Sequence, residues 1–188
     1  MRIYLTTLTL SVALAVSAEA AIDFTPTGGE RTLEGVVFKQ IILHQDGHVI
    51  TYEQPQGWSY SGDAAGMRLT PANVSQAQVT IQQTALPGPQ AFDGPTVKQL
   101  QQVALSSVPD GALNVVLLAE EKNPLQIHQQ ETYGVTITYN YFGQDYGLNL
   151  LFVNLGNTQV RFRMVARKAD FEQVRREFRG SLFSLAWN

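Results

Sequence analysis

Apolar and polar residues alternate with a period of two in three successive segments near the end of the chain. These segments cover residues 135–141, 146–152 and 160–164, and a short glycine-containing turn separates each one from the next. A period of two sends neighbouring side chains to opposite faces of a strand, and short turns of this kind join antiparallel strands. The pattern therefore predicts an antiparallel meander, with its first turn at residues 143–145.

A further hairpin is predicted closer to the N-terminus. Residues 36–44 and 48–52 are β-rich, and Asp46-Gly47 between them tolerates the positive φ angles of a two-residue turn. In that register the large apolar side chains of both strands share one face. These side chains are Ile41, Leu43, Ile50 and Tyr52.

The segment after this hairpin contains Trp58, one of two tryptophans in the chain. Pro55 and Gly57 interrupt the strand, because proline lacks a donor for the ladder and glycine permits a sharp change of direction. The chain can then turn back so that Trp58 packs over the apolar face that contains Tyr52. Both aromatic residues are predicted to be structural.

Two helices interrupt the strands. The first begins near Gly94-Pro95 and ends before Pro109, and the second begins at or just after Asp170. Their apolar residues recur at helical spacing, at Val97, Leu100, Ala104 and Val108 in the first helix and at Phe171, Val174, Phe178 and Leu182 in the second. Between the helices, the Val-Val-Leu-Leu run in residues 114–119 predicts a buried strand. Together these elements predict the α+β class, an antiparallel β-sheet flanked by helices.

Residues 1–20 have the pattern of a secretory signal peptide. Arg2 provides the positive charge, residues 3–16 the apolar stretch, and residues 18–20 the small-x-small cleavage sequence. The apolar stretch is shorter than the ~20 residues that a membrane-spanning helix needs, which argues against a retained anchor. No later segment is apolar enough to span a membrane. We expect cleavage after Ala20 and a periplasmic or secreted protein.

The remaining chain is predicted to form one domain preceded by a leader. Residues 21–33 contain Pro26 and the pair Gly28-Gly29 with little periodicity, and they predict a flexible leader. Residues 34–188 predict a single α+β domain, because this length suits one hydrophobic core better than two.

The chain has no cysteine, which excludes disulfides and thiolate metal sites. A metal site would have to use His44, His48 and His128. In the predicted hairpin His44 and His48 point to opposite faces, so they cannot share a metal ion. We expect no metal and no cofactor.

Sequence patterns that support catalysis are also missing. The chain contains no Gly-x-Ser-x-Gly sequence and no glycine-rich loop with the lysine of a phosphate site. Glu120 and Glu121 are adjacent at a predicted strand end, so their carboxylates point to opposite faces and do not form a catalytic pair. The chain is therefore expected not to be an enzyme.

Charge is distributed unevenly along the chain. Residues 21–160 include five basic and twelve acidic residues, whereas residues 161–188 include seven basic and three acidic ones. On the second helix, Arg175, Arg176 and Arg179 lie opposite the apolar stripe. They form a candidate surface for a protein partner or, weakly, for an anionic surface, with a solvated helix face as the alternative. The overall acidic charge and the lack of a recognised motif argue against nucleic-acid binding.

The turn at residues 139–147 is the second candidate site. Tyr139, Tyr141 and Asp145 combine apolar area with polar groups, which suits ligand recognition. Tyrosines are also common as packing residues across a hairpin. A cleft beside this hairpin would favour a small-ligand carrier or an enzyme as the alternative function.

The order of these features resembles the PsbP-like superfamily. The resemblance rests on Pro55-Gln56-Gly57-Trp58 after a strand, the helix at 96–108, the tyrosine-rich hairpin at 139–152, a strand ending near Arg167, and a last helix followed by Ser181-Leu182-Phe183-Ser184-Leu185. It covers residues 34–186. The superfamily includes the extrinsic PsbP protein of photosystem II, a Ran-binding nuclear import factor and bacterial chaperone-like domains.

The resemblance implies an α/β/α sandwich and a role in binding another protein, with no catalytic residues to carry over. The leader resembles a bacterial export signal and not a plastid transit peptide, so a bacterial exported member is expected. A shared fold does not identify the partner. We therefore expect a non-enzymatic binding or accessory module whose partner is another envelope or secreted protein.

Cleavage of the leader is tested on protein recovered from the cell envelope or the medium. Intact-mass measurement and N-terminal sequencing are expected to give a chain that begins at Ala21. A chain that still begins at Met1 and stays with the membrane fraction would show a retained anchor instead.

Overall fold

The computed structural model describes residues 21–188, so the predicted signal peptide lies outside the described residues. Strands account for 58% and helices for 18% of these residues. The strands within this range are β1 Asp23–Leu33, β2 Val36–Gln45, β3 His48–Tyr52, β4 Trp58–Asp63, β5 Gly66–Pro71, β6 Gln78–Ala85, β7 Leu113–Ile127, β8 Gln130–Tyr141, β9 Gln144–Leu155, β10 Thr158–Arg167 and β11 Ala186–Trp187. The helices are α1 Gly94–Ser106 and α2 Lys168–Ser181, and a 3₁₀ turn at Leu182–Ser184 follows α2. No helix in this part of the chain is long and apolar enough to cross a membrane.

The strands form two antiparallel sheets. Four strands lie in the order β1-β2-β3-β11 and seven in the order β4-β5-β6-β10-β9-β8-β7. α1 covers one face of the seven-stranded sheet, and α2 packs on the other face together with the four-stranded sheet. The α+β class and the antiparallel sheet are confirmed. The structure is richer in sheet than the predicted helix-flanked sandwich, because the apolar face of β2 and β3 supplies part of the second layer.

The prediction of a flexible leader over residues 21–33 is wrong. Ile22 and Phe24 are buried in the core, and most of β1 pairs with β2. Gly29 has a packing role, since a Cβ at this position would lie 2.7 Å from Cδ1 of Ile42. A glycine in a strand can mark such a close approach, which the sequence does not distinguish from flexibility. The folded domain therefore includes this segment.

The β2–β3 hairpin has the predicted turn and register. Asp46 and Gly47 form the turn, with φ angles of 44° and 80°. The apolar pairs are Ile41 with Tyr52 and Leu43 with Ile50. All four side chains are buried, so the alternation of apolar residues predicts this part of the core correctly.

The prediction of a buried strand at residues 114–119 is wrong. These residues belong to β7, which lies at an edge of the seven-stranded sheet and, among the described strands, pairs with β8 alone. Leu113, Val115, Val116 and Leu118 are exposed. An uninterrupted apolar run is typical of a strand buried on both faces, but an edge position leaves such a run partly in water.

α2 packs on the seven-stranded sheet through the predicted stripe. Phe171, Val174 and Phe178 are buried. The Phe171 ring lies directly on Gly147 of β9, where a Cβ would overlap it. Phe178 contacts the Phe162 ring of β10 with a centroid distance of 6.0 Å. The missing side chain at Gly147 thus sets how closely α2 approaches the sheet.

Trp58 and Tyr52 are buried where α2 meets the strands. The Trp58 ring stacks on Phe178 with a centroid distance of 6.5 Å, and its Nε1 donates to Oε2 of Glu177 at 3.2 Å. The Tyr52 hydroxyl hydrogen-bonds with Oγ of Ser181 at 2.6 Å, and burial raises the pKa of this hydroxyl. Tyr52 thereby attaches α2 to the small sheet, and Trp58 attaches it to the large one.

Trp58→Ala is expected to lower the free energy of unfolding by about 3–5 kcal/mol, because it leaves a cavity between β4 and α2. Tyr60→Ala is the control, since Tyr60 lies on the same strand but is 37% exposed; its expected cost is about 1 kcal/mol or less. Denaturant unfolding measures both. An equally small loss for the two variants would show that Trp58 does not hold α2 in place.

Candidate functional site

The structure does not bring Tyr139, Tyr141 and Asp145 into one cleft. Tyr139 is buried on the α1 side of the sheet and stacks on Tyr146 with a centroid distance of 5.5 Å. Asp145 pairs with Asn140, whose Nδ2 donates to Oδ1 of Asp145 at 3.0 Å. Since successive residues of a strand face opposite sides, Asp145 points away from both tyrosines. A ligand cleft formed jointly by these three residues has no geometric basis.

The space between the two sheets is nearly filled. An apolar cavity of about 30 Å³ lies there, with Leu43, Met67 and Phe162 among its lining residues. That volume is roughly the share of one water molecule in the liquid, whereas ligand sites usually measure hundreds of cubic ångströms. Its size indicates a packing void, not a site for an apolar ligand.

The three predicted arginines have different roles on α2. Arg179 donates through Nη1 to Oε1 of Glu121 on β7 at 2.9 Å, and through Nη2 to the other carboxylate oxygen. Nη1 of Arg175 lies 3.7 Å from Oε2 of Glu121, and its Nη2 donates to Glu172 at 2.8 Å. Arg176 is exposed and forms no hydrogen bond or ion pair with any described residue. Two arginines therefore attach α2 to β7, and the third faces solvent.

Glu121 joins α2 to the edge of the sheet. The hydrogen bonds from Arg179 are the main reason why the pKa of Glu121 is lowered; the charges of Arg179 and Arg175 add to this effect, whereas desolvation opposes it. The Glu121 side chain remains 31% exposed, so water screens the interaction. The ion pair therefore contributes more to orienting the two elements than to overall stability.

Glu120 and Glu121 face opposite sides of β7, as predicted. Glu120 accepts a hydrogen bond from the Tyr133 hydroxyl at 2.7 Å on the α1 side. This bond is the main cause of the lowered pKa of Glu120. Burial, together with the bond to Glu120, raises the pKa of Tyr133 to about 12. The two carboxylates thus make separate structural contacts.

Sequence reasoning missed an apolar surface at the free edge of the large sheet. On β7 the side chains of Leu113, Val116 and Leu118 are 65%, 52% and 61% exposed. Phe142 in the β8–β9 turn is 87% exposed, and Phe183, just after α2, is 75% exposed. Large exposed apolar patches commonly mark sites of interaction. The local sequence pattern does not reveal this surface. Whether a strand lies at an edge or in the centre of a sheet depends on which distant strands pair with it.

Leu113 and Val116 of β7 lie on the face of the sheet on which α2 packs, and Leu118 lies in a bulge of the same strand. Val116 pairs with Thr138, and Thr138 pairs with Gly147, on which Phe171 of α2 lies. Further along β7, Glu121 is bound to α2. We call this region the β7–α2 surface. It comprises Leu113, Val116, Leu118, Arg175, Arg176 and Phe183.

Histidines and carboxylates do not cluster in the described part of the chain. His44 and His48 occupy adjacent pairs of the β2–β3 ladder and so face opposite sides. The His128 ring packs against Trp187 with a centroid distance of 4.7 Å. No group of three or more His, Asp or Glu side chains within residues 21–188 could hold a metal ion.

Comparison with known proteins identifies the fold. No protein-family model matches the chain, and no curated protein matches its sequence. The solution structure of the cyanobacterial PsbP protein, CyanoP, from Synechocystis superposes with a TM-score of 0.52 at 12% sequence identity, over 95% of this chain and 99% of that one. A crystal structure of a protein of unknown function from Pseudomonas aeruginosa superposes with a TM-score of 0.46 at 13% identity, over 85% of this chain and 96% of that one. The likeness to CyanoP shows that the chain has a PsbP-like fold, and it is a likeness of fold alone.

Glu121→Gln is expected to lower stability by about 1 kcal/mol at neutral pH, a value already reduced for solvent screening. The pKa of Glu121 in the folded protein is lower than its ordinary 4.5. The stability that the Glu121 charge provides is therefore fully present above the ordinary pKa of 4.5, and it is lost as the pH falls through the lower pKa of the folded protein. The difference in unfolding free energy between wild type and variant should stay constant from about pH 6 to 8 and shrink towards about pH 3.

Glu172→Gln is the control for this experiment. Glu172 also contacts an arginine of α2, but its side chain is 64% exposed, so a much smaller effect is expected. Thermal unfolding across the pH range measures both variants. A loss for Glu121→Gln that is equal in acid and at neutral pH would contradict the ion-pair account.

Proposed function

We propose that the chain is an exported, non-enzymatic protein-binding or accessory module that holds its partner at the β7–α2 surface. The observation that carries this proposal is the exposure of Leu113, Val116 and Leu118 on one edge strand of the sheet on which α2 packs. On α2, Arg176 is exposed and forms no ion pair within residues 21–188. Contact of apolar side chains with water is unfavourable by about 25 cal/mol for each Å². A partner that covers these side chains gains that free energy on binding.

The composition of the surface fits a protein interface. Arginine and aromatic residues are enriched in such interfaces, and Arg176 and Phe183 supply them here. Arg175 and Arg179 are already held by Glu121. Because these two side chains are already ordered before binding, association costs less conformational entropy.

Export is supported by the leader sequence, and the core of the domain is compatible with it. Two buried apolar clusters, one on each face of the large sheet, give the chain a core that does not need disulfides. We therefore place the partner among envelope or secreted proteins. Because two arginines of α2 are neutralised by carboxylates, a protein partner is favoured over weak contact with an anionic membrane surface.

Val116→Asp is expected to abolish capture of the native partner, because it would bury a carboxylate in the apolar contact. Tagged wild-type and variant proteins are produced in the native cell, cross-linked with formaldehyde and recovered from the envelope and the medium. The wild type should give a discrete cross-linked species, and Val116→Asp should reduce its yield at least about tenfold.

Val37→Asp is the matched control, because Val37 lies on β2 and is 55% exposed, close to the exposure of Val116. It should leave capture unchanged, and circular dichroism shows whether both variants fold. Equal capture by all three proteins would refute binding through this surface. An equal loss in both variants would do the same.

A further inference from the structure

The face of the seven-stranded sheet beneath α1 continues beyond the helix as a polar surface. Leu150 of β9 is buried in the cluster that includes α1, and it pairs with Arg163 of β10. Arg163 pairs in turn with Thr80 of β6, and Thr80 pairs with Arg68 of β5. Directly paired residues of neighbouring strands project from the same face of a sheet. The two arginines therefore flank Thr80 on the α1 side, and Arg68 at the end of this row is exposed.

A third arginine lies in the next row of the same face. Arg161 of β10 pairs with Gln82 of β6, and its Nη2 donates to Oε1 of Gln82 at 2.8 Å. Residues two apart on a strand share a face, so Arg161 lies beside Arg163 and Gln82 lies beside Thr80. Neighbouring strands are about 4.8 Å apart. A group placed above the two β6 residues therefore has arginine side chains on both sides.

No carboxylate neutralises these three arginines. Arg68, Arg161 and Arg163 form no ion pair within residues 21–188. Nη2 of Arg163 donates to the carbonyl oxygen of Ser107 at the C-terminal end of α1, at 3.0 Å. Burial lowers the pKa of Arg163; the Tyr139 side chain opposes this shift, and the charge of Arg161 adds to it. The fold thus keeps positive charges together here that an anion would neutralise.

A groove of about 510 Å³ lies along this surface, a volume within the range of small-molecule sites. Its lining residues include Arg68, Thr80 and Gln82. Gly66 pairs with Gln82 and has no side chain, which leaves space next to the amide. Met67 and Ile81 also line the groove, but their side chains are buried. The groove therefore offers polar groups and positive charge to a ligand, with little apolar surface.

We propose that this surface binds the phosphate group of a water-soluble compound. Guanidinium groups match phosphate oxygens with pairs of parallel hydrogen bonds, and the Thr80 hydroxyl can donate another. A phosphate monoester carries a charge of about −1.5 to −2 at pH 7. That charge balances three arginines and Asp63, the one carboxylate among the lining residues, whose Oδ1 already accepts from the backbone N–H of Ala65 at 2.9 Å. A lipid headgroup is disfavoured, because the groove gives acyl chains no apolar contact.

A ¹H–¹⁵N NMR titration of the purified protein in phosphate-free buffer tests the proposal, with inorganic phosphate and acetate as probes at equal ionic strength. Phosphate should shift the amide signals of residues 66–68, 80–82 and 161–163 and bind at least about tenfold more tightly than acetate. Added sodium chloride should weaken the binding.

Arg68→Gln should weaken phosphate binding at least about tenfold, because it removes one side of the arginine set. The side chain is exposed, so the fold should be retained, and circular dichroism checks this. Arg176→Gln is the matched control: Arg176 is also exposed and forms no ion pair within residues 21–188, but it lies on α2. Its loss should leave the affinity unchanged.

The proposal is overturned if phosphate shifts no signal of these strands, if acetate binds equally well, or if Arg176→Gln loses as much affinity as Arg68→Gln. Sedimentation with phosphatidylglycerol vesicles distinguishes a lipid headgroup from a soluble phosphate. Vesicles that carry down the wild type but not Arg68→Gln would overturn the choice of a water-soluble ligand. None of these results bears on the β7–α2 surface, so the proposed function stands or fails separately.

Discussion

The seating of α2 on the seven-stranded sheet is the contact on which the rest of the structure depends. It is possible because Gly147 leaves room for the Phe171 ring on β9. Once seated, α2 is joined to the large sheet by Trp58, to the small sheet by Tyr52 and to the free edge by Glu121. A helix of this length is marginal in water on its own, so tertiary contacts supply its stability. In return, the helix fixes the relative positions of both sheets and of β7.

The same arrangement determines which edge stays uncovered. β1 and β4 lie at edges of different sheets and contact each other. β11 is only two residues long, and α2 packs mainly over β9 and β10. The apolar end of β7 is therefore left in water. Its bulges and the charges of Glu120 and Lys122 discourage pairing with another strand, but they leave the apolar side chains free to contact a partner.

Local patterns predict the β2–β3 register and the buried stripe of α2 correctly, because both depend on residues close in sequence. Whether residues 114–119 are central or at an edge, and whether residues 21–33 pair at all, depends on distant segments. The candidate site has the same limit. The charge pattern locates the arginines of α2, but it does not show that Glu121 binds Arg175 and Arg179 while Arg176 forms no ion pair within residues 21–188. The turn between β8 and β9 lies at residues 142–143 and begins one residue earlier than predicted, so Asp145 belongs to β9 and pairs with Asn140, on the face opposite to Tyr139 and Tyr141.

The central claim is that a protein covers the exposed end of β7 in the cell. Photo-cross-linking tests it most directly, with p-benzoylphenylalanine in place of Val116 and, as the reference, in place of Val37. The account predicts a discrete adduct larger than the chain from position 116 in the native cell and none from position 37, although the two valines are similarly exposed. Absence of an adduct from position 116, or the same adducts from both positions, would contradict it.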